Sequence, residues 1–331
     1  MSSSNYYDIL DKAVEDISLF NIYSSTDVVT TGIEVFIKAF EYSSDINTAF
    51  KYCSTAVEKL YSARPTSVMM ANSLRRLLHR LNIALDETRD FEKIKDSVKR
   101  EAEALKQELR EAVEAVAIIG SRRINPGETI LTISYSGTVY RLFKEAWDRG
   151  VKFKVYVVES RPGSEGFYTA KKLRELGIPV TIFVDSAVRY FMKDVDKVIT
   201  GAEAIAANGA VINKVGTSMI ALAAHEARVR VFIASSTHKF SPETIFGELV
   251  ELTIKRPSEK FIGEAIKELG DVKSILPIFD VTPPEYIDAI ITEKGLVAPE
   301  AVIFLLRDIY GWPPKFPELD DLLKEIEVKL W

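Results

Sequence analysis

The sequence predicts an α/β protein in two parts, an N-terminal helical domain followed by a doubly wound, mostly parallel sheet. Three observations carry this. Up to about residue 119, apolar residues recur at spacings of three and four, the period of an amphipathic helix. After the turn cluster SRRINPGE the period changes to short, nearly continuous apolar runs. Those runs alternate with helical stretches, and strands separated by helices pair in parallel through right-handed crossovers. The expected domains are therefore 1–119 and 120–331.

YDILDKAVEDI, DVVTTGIEVFIKAF and INTAFKYCSTAVEKLY read as antiparallel helices of a small bundle. ARPTSVMMANSLRRLLHRL opens at Pro65 and Thr66, residue types suited to a helix start. FEKIKDSVKREAEALKQELREAVEAVAII is rich in Glu and Lys and is most simply a long, solvated helix linking the domains. The predicted strands are TILTIS, KFKVYVVES, PVTIFVD, KVITGA and VRVFIAS. Between them lie the helical segments TVYRLFKEAWDRG, FYTAKKLRELG, SAVRYFMKDVD and TSMIALAAHEAR. The segment ILPIFDVTPPEYIDAIITEKGLVAPEAVIFLLRDIYGW adds another strand, a Pro-Pro turn and a last helix.

A chain of 331 residues has room for two cores. No apolar run approaches the roughly 18 residues of a membrane span, and MSSSNYYDILDKAVED lacks the basic and apolar regions of a secretory signal. A cytoplasmic protein is expected. Cys53 is the only cysteine, which excludes an intrachain disulfide, and its neighbours Phe50, Tyr52 and Val57 place it in a core. His79, His225 and His238 lack metal-ligand spacing, so neither a metal nor a cofactor is expected. A net charge of −5 argues against general nucleic-acid binding but permits a local basic pocket for a phosphorylated small molecule. A single glutamine among many Lys, Arg and Glu is a composition in the direction of thermophiles.

In an open parallel sheet, ligands bind outside the carboxyl ends of the strands at the switch point. Those ends are Ser134 to Ser136, Glu159 to Gly163, Asp185, Gly201 to Glu203, and Ser235 to Lys239. Their hydroxyls and acids, with Arg161, Lys214 and Lys239, suit a phosphorylated or polyhydroxylated molecule. No GxGxxG or Walker A motif is present. Gly216, Thr217 and Ser218 open a helix whose free N–H groups suit an anion, although Thr217 reads equally as a plain N-cap and Asn213 as a turn residue. Arg64 in ARPT and Arg161 in ESRPG read either as phosphate ligands or as surface residues. His238 reads as an acid/base or a polar loop residue, and Glu159, Asp185 and Glu203 read as proton-moving groups or helix caps.

VVESRPGSEG, GAEAIAANGAVINKVGT, THKFSPETIFGELVE and FDVTPPEYIDAIITEKG resemble one known family. It joins the alpha, beta and delta regulatory subunits of translation initiation factor 2B to two isomerases, acting on ribose 1,5-bisphosphate and on methylthioribose 1-phosphate. The resemblance covers essentially the whole chain, since ARPTSVMMANSLRRLL is similar to the family's helical domain, and DVTPPEYIDAIITEKG is especially similar to archaeal ribose-1,5-bisphosphate isomerase-like members. It implies a helical domain on a Rossmann-like domain with a sugar phosphate between them, and dimerisation through the C-terminal domains, with hexamers among the isomerases. It also implies that Arg64, Arg161, Asn213, Lys214 and Lys239 line the ligand pocket.

Aldose–ketose isomerisation needs one group as acid and another as base. In the isomerases these fall to a cysteine in Thr-His-Cys and an aspartate in Gly-Ala-Asp. Here the stretches read Thr132-Ile133-Ser134 and Gly201-Ala202-Glu203. A serine hydroxyl without a neighbouring base is a far weaker acid or nucleophile than a thiol. Glutamate moves the carboxylate by about 1 Å, and misplacement of that size costs roughly a hundredfold. The isomerases' Arg-Gly-Ala-Gly aligns with Tyr23, Ser24, Ser25 and Thr26, which removes a bidentate phosphate contact. The regulatory alpha subunit itself carries Gly-Ala-Glu. The expectation is an archaeal regulatory-subunit-like protein that binds a phosphorylated sugar or nucleoside monophosphate without isomerase turnover. The alternative is a sugar-phosphate isomerase using Glu203 and Ser134. Expected partners are the ligand, translation initiation factor 2 subunits, and further copies in a homodimer or hexamer. Neither membrane nor direct nucleic-acid binding is expected.

Overall fold

Apolar stripes at helical spacing decide the first unit of the chain. The computed structural model describes residues 3–247 and 275–330, together with residues 250, 270 and 272. Apart from Val250, the end of the THKFSPETIFGELVE stretch lies outside the described residues. The helices are α1 (Ser3–Ser18), α2 (Ser25–Glu41), α3 (Ile46–Ala63), α4 (Val68–Glu87) and α5 (Phe91–Ser121). Short polar side chains set two starts: Ser24 Oγ accepts from the Asp27 N–H, and Asp45 accepts from the Thr48 N–H. Tyr6, Leu10, Phe36, Phe40, Leu60, Leu74 and Leu78 meet in one core. Cys53 is inside it, where burial pushes its thiol well above the ordinary range.

Two features of this unit differ from the sequence expectation. α5 is not simply a solvated helix, because Ile94, Val98, Ala102, Leu105 and Leu109 recur every three or four residues and are buried, leaving the charges to the other face. The last helix (Leu319–Leu330) buries Leu319, Leu322 and Ile326 in the same core and bonds to α4, with Asn82 donating to Glu325 and Lys329 to Asp86. Residues 315–331 therefore group with residues 1–110, whereas the sequence reading put them with the sheet.

The second unit spans Glu111–Pro314. Its strands are β1 (Thr129–Thr132), β2 (Lys154–Val158), β3 (Val180–Phe183), β4 (Lys197–Thr200), β5 (Ala204–Ile205), β6 (Val211–Lys214), β7 (Arg230–Ala234), β8 (Phe279–Thr282), β9 (Ala289–Thr292) and β10 (Gly295–Val297). The helices between and after them include α6 (Gly137–Asp148), α7 (Glu165–Glu175), α8 (Val188–Phe191), α9 (Thr217–Ala227) and α10 (Val302–Tyr310). The main sheet runs β10-β9-β7-β4-β1-β2-β3, parallel throughout except for the β9–β10 hairpin. β1 lies between β2 and β4, so chain order reverses there and the loops after β1, β2 and β4 flank the switch point.

All five strands predicted before residue 240 are present in this sheet. β3 is its edge and is largely exposed, unlike the buried strand expected of its apolar run. SAVRYFMKDVD forms a four-residue helix flanked by 3-10 turns instead of one continuous helix. The terminal segment contributes β8, β9 and β10 where a single strand was expected, and β8 joins β5 and β6 in a small antiparallel sheet. These strands have two to four residues each, and β8 pairs with a partner some seventy positions earlier (Val211 with Thr282), so no local periodicity announces them.

Close backbone approach seats α7 on β2. A Cβ on Gly166 would stand 1.9 Å from the Val158 carbonyl oxygen, so no other residue fits without moving the helix. Gly166→Ala is expected to destabilise the chain by about 3 kcal/mol, the upper range for overpacking. Urea unfolding should show a lower midpoint with an unchanged m-value.

Candidate functional site

The loop after β1 places Ser134 in the left-handed region, at φ +59°. Its N–H donates to Ser160 Oγ at 2.7 Å, and its carbonyl accepts from Thr169 Oγ1 at 2.6 Å. Ser160, at φ +64°, is fully buried and donates its hydroxyl to the Val158 carbonyl. The Asp185 carboxylate then clamps the β2 loop, accepting from the N–H groups of Ser160 at 2.9 Å and Arg161 at 2.8 Å. Ser164 is also left-handed, at φ +60°. Each such non-glycine residue costs on the order of 1 kcal/mol or more and persists only where its surroundings hold it. Asp185 thus serves as a loop clamp, and the Arg161 side chain stands exposed at the rim, with Nη1 3.5 Å from Ser164 Oγ.

A second set of contacts lies at the start of α9. Asn213 donates through Nδ2 to Thr200 Oγ1 at 3.1 Å and to Thr217 Oγ1 at 3.0 Å, and Thr217 donates to the Lys214 carbonyl at 2.6 Å. Lys214 Nζ donates to Glu165 Oε1 at 2.6 Å, with the two side chains only 6% and 5% exposed. Glu165 is the first residue of α7, and among the described residues its buried Oε2 has no hydrogen-bond partner. Gly163 leaves room for it, since a Cβ there would meet Glu165 Oε1 at 2.3 Å. Lys239, itself buried, donates to the Ala202 carbonyl at 2.6 Å, next to the buried Glu203. Gly201 allows β4 to approach α6, where Ser136 caps the helix, because a Cβ would fall 2.6 Å from Ser136 Oγ.

The N-terminus of α9 already has an anion from the chain itself. Asp280 Oδ2, on β8, accepts from the Gly216 N–H at 2.7 Å and the Ser218 N–H at 3.1 Å. Burial pushes the Asp280 carboxyl up to about 6, against the lowering effect of those two N–H groups. Gly216 is left-handed at φ +100°, which lets the chain turn into the helix here.

The structure thus brings Ser134 and Arg161 into one hydrogen-bonded loop network, joins Asn213, Lys214 and Thr217 in a second, and sets Lys239 against the backbone beside Glu203. α7 connects the first two, reaching Ser134 through Thr169 and Lys214 through Glu165. Arg64 belongs to the other unit, where it is the C-cap residue of α3 and stacks over the Phe20 ring at 4.8 Å. Tyr23 is partly exposed, and Ser24 caps α2. Glu165 and Asp280 were not singled out from sequence. Glu165 reads there as an ordinary first-turn acid and Asp280 as a strand residue far from α9. Among the described residues no group of three or more His, Cys, Asp or Glu is placed to hold a metal ion, and no helix is long and apolar enough to cross a membrane.

Comparison with known proteins follows the same lines. A model of the Initiation factor 2 subunit family matches residues 23–299. Ribose 1,5-bisphosphate isomerase of Thermococcus kodakarensis is 41% identical over 277 residues, covering 83% of this chain and 86% of that protein. The Pyrococcus furiosus protein of the same name is 43% identical over 270 residues, covering 81% and 83%. Among solved structures, the translation initiation factor eIF-2B of Pyrococcus horikoshii superposes with a TM-score of 0.75 at 28% identity, covering 89% of this chain and 98% of its own.

Lys214→Met strands the Glu165 carboxylate and is expected to cost about 3–5 kcal/mol, whereas Lys214→Met combined with Glu165→Leu should recover most of that loss. A urea double-mutant cycle with additive losses would refute the coupling. For Asp280 the folded pKa lies above the unfolded one, so its contribution to stability is whole below about pH 4 and is lost as pH rises through about 6. Asp280→Asn should flatten that fall, melting above wild type at about pH 8 with little difference near pH 4. Parallel melting curves at both pH values would contradict it.

Proposed function

We propose that this chain, which belongs to the Initiation factor 2 subunit family, binds a phosphorylated sugar or nucleoside monophosphate on these loops without isomerising it. The observation that carries the reading is Ser134. Its backbone is fixed on both sides by Ser160 and Thr169, and among the described residues no hydrogen bond ties its hydroxyl to a base. A hydroxyl so placed is a poor proton donor near neutral pH and an unactivated nucleophile. Arg161, exposed on the neighbouring loop, supports the reading as a guanidinium suited to a phosphate, while Asn213, Lys214 and Lys239 make contacts within the chain. The protein then acts by binding, as a cytoplasmic homo-oligomer engaging subunits of translation initiation factor 2.

A second reading, a sugar-phosphate isomerase, is supported by the 41% and 43% identity to proteins named ribose 1,5-bisphosphate isomerase. Glu203 favours it structurally, being a carboxylate only 3% exposed at the end of β4, beside the carbonyl that Lys239 holds. In that reading Glu203 moves the proton and Ser134 assists.

A coupled assay with ribose 1,5-bisphosphate and methylthioribose 1-phosphate separates the two. The binding reading expects no turnover, together with a rise in melting temperature on adding a sugar phosphate or nucleoside monophosphate. Turnover that disappears in Glu203→Gln would establish the isomerase instead.

A further inference from the structure

We propose that the outer edge of the main sheet takes an extended, acidic segment of a partner protein as a further strand beside β3. β3 ends the sheet, and the backbone stays extended through Val184. Its pairing with β2 uses alternate residues: the Val155 N–H donates to the Pro179 carbonyl and the Glu159 N–H to the Phe183 carbonyl, with Val155 opposite Val180 and Val158 opposite Phe183. In a parallel ladder both backbone groups of a residue point the same way. Thr181 and Phe183 therefore face β2, and the N–H and C=O groups of Val180 and Ile182 face outward.

This edge lacks the devices that ordinarily keep an outer strand from pairing. VTIF carries no charge and no proline, and its register with β2 runs without a bulge. Ile182 and Val184 are 37% and 50% exposed. Beside the edge runs a groove of about 720 Å³, lined by apolar residues at the start of β3, among them Ile178, Pro179, Val180 and Ile182, and by the second half of α7. Neighbouring strands lie about 4.8 Å apart, so a chain added to β3 runs along this groove. The groove is at the end of the sheet away from the loops that follow β1, β2 and β4, and the proposal does not depend on the ligand-binding reading.

Charge names the occupant. Three ionisable residues of α7 line the groove: Lys171, Arg174 and Glu175. Glu175 is engaged by Lys172 at 3.5 Å, whereas among the described residues Lys171 and Arg174, both exposed, have no ion-pair partner. Two unbalanced cations beside an apolar strand edge suit an incoming strand with acids on either side of an apolar residue, all on one face, since alternate residues of a strand share a face. A second copy of the chain pairing edge to edge would bring a second Lys171 and Arg174 onto the same face, where like charges repel.

Fluorescence anisotropy of the full chain with a labelled, end-blocked hexapeptide, Glu-Thr-Val-Thr-Glu-Thr, tests this. The peptide is expected to bind, and to bind at least about tenfold more weakly when its two glutamates are replaced by lysine. Reversing the charge on the exposed helix face with Lys171→Glu and Arg174→Glu together should weaken the acidic peptide by a similar factor. Ile182→Pro removes an outward N–H at a position where an edge strand tolerates proline, and should also lose at least about tenfold while melting like wild type. Where that variant does not fold, the same peptide N-methylated at every residue replaces it, because it cannot pair with the edge. Absence of binding at about 1 mM peptide, equal binding of the acidic and basic peptides, or binding that survives charge reversal, Ile182→Pro or N-methylation each overturns the proposal. Light scattering that shows a dimer in wild type and a monomer in Ile182→Pro assigns the edge to a second copy and overturns it as well.

Discussion

The ion pair between Lys214 and Glu165 ties together the parts of the second unit that carry its chemistry. Removing two charges from water costs several kcal/mol each, and only a short, well-aligned contact offsets this. The 2.6 Å separation meets that demand, and it does so between residues 49 positions apart, one ending β6 and the other opening α7. Because α7 is held at that point, Thr169 can reach the Ser134 carbonyl and Gly166 can settle against the Val158 carbonyl. The left-handed turn at Ser134 depends on the same anchorage. An unpaired Glu165 would release the start of the helix that keeps this turn in place.

The same contact shapes what the site can do. A lysine engaged by a glutamate is a weaker trap for an anion than one facing water, and a helix N-terminus engaged by Asp280 is a weaker one than an open N-terminus. Much of the polar equipment is therefore spent within the protein.

Much of this was legible in the sequence, for identifiable reasons. Runs such as TILTIS and VRVFIAS announce buried parallel strands, and helices between them dictate which ends lie together, so Ser134, Arg161 and Lys239 could be assigned to one edge before any coordinates. Cys53 could be placed in the core from its neighbours. The small antiparallel sheet could not be foreseen, since its strands are too short to show a period and β8 returns from far along the chain. The last helix carries an apolar stripe that any core could accept. Only packing shows that Leu319, Leu322 and Ile326 join the helical unit.

GAEAIAANGAVINKVGTSMIAL shows the division most clearly. By itself the sequence determined that an acid, an amide and an amine sit near strand ends before a helix, because residue type and apolar period are local properties. The family resemblance further implies that Glu203 and Ser134 stand where related isomerases have aspartate and cysteine. Tertiary structure alone decided that Lys214 is paired with Glu165 and that the N-terminus of α9 is filled by Asp280. Both partners come from distant segments, and buried charge is settled by whichever groups folding brings together, which no local pattern encodes.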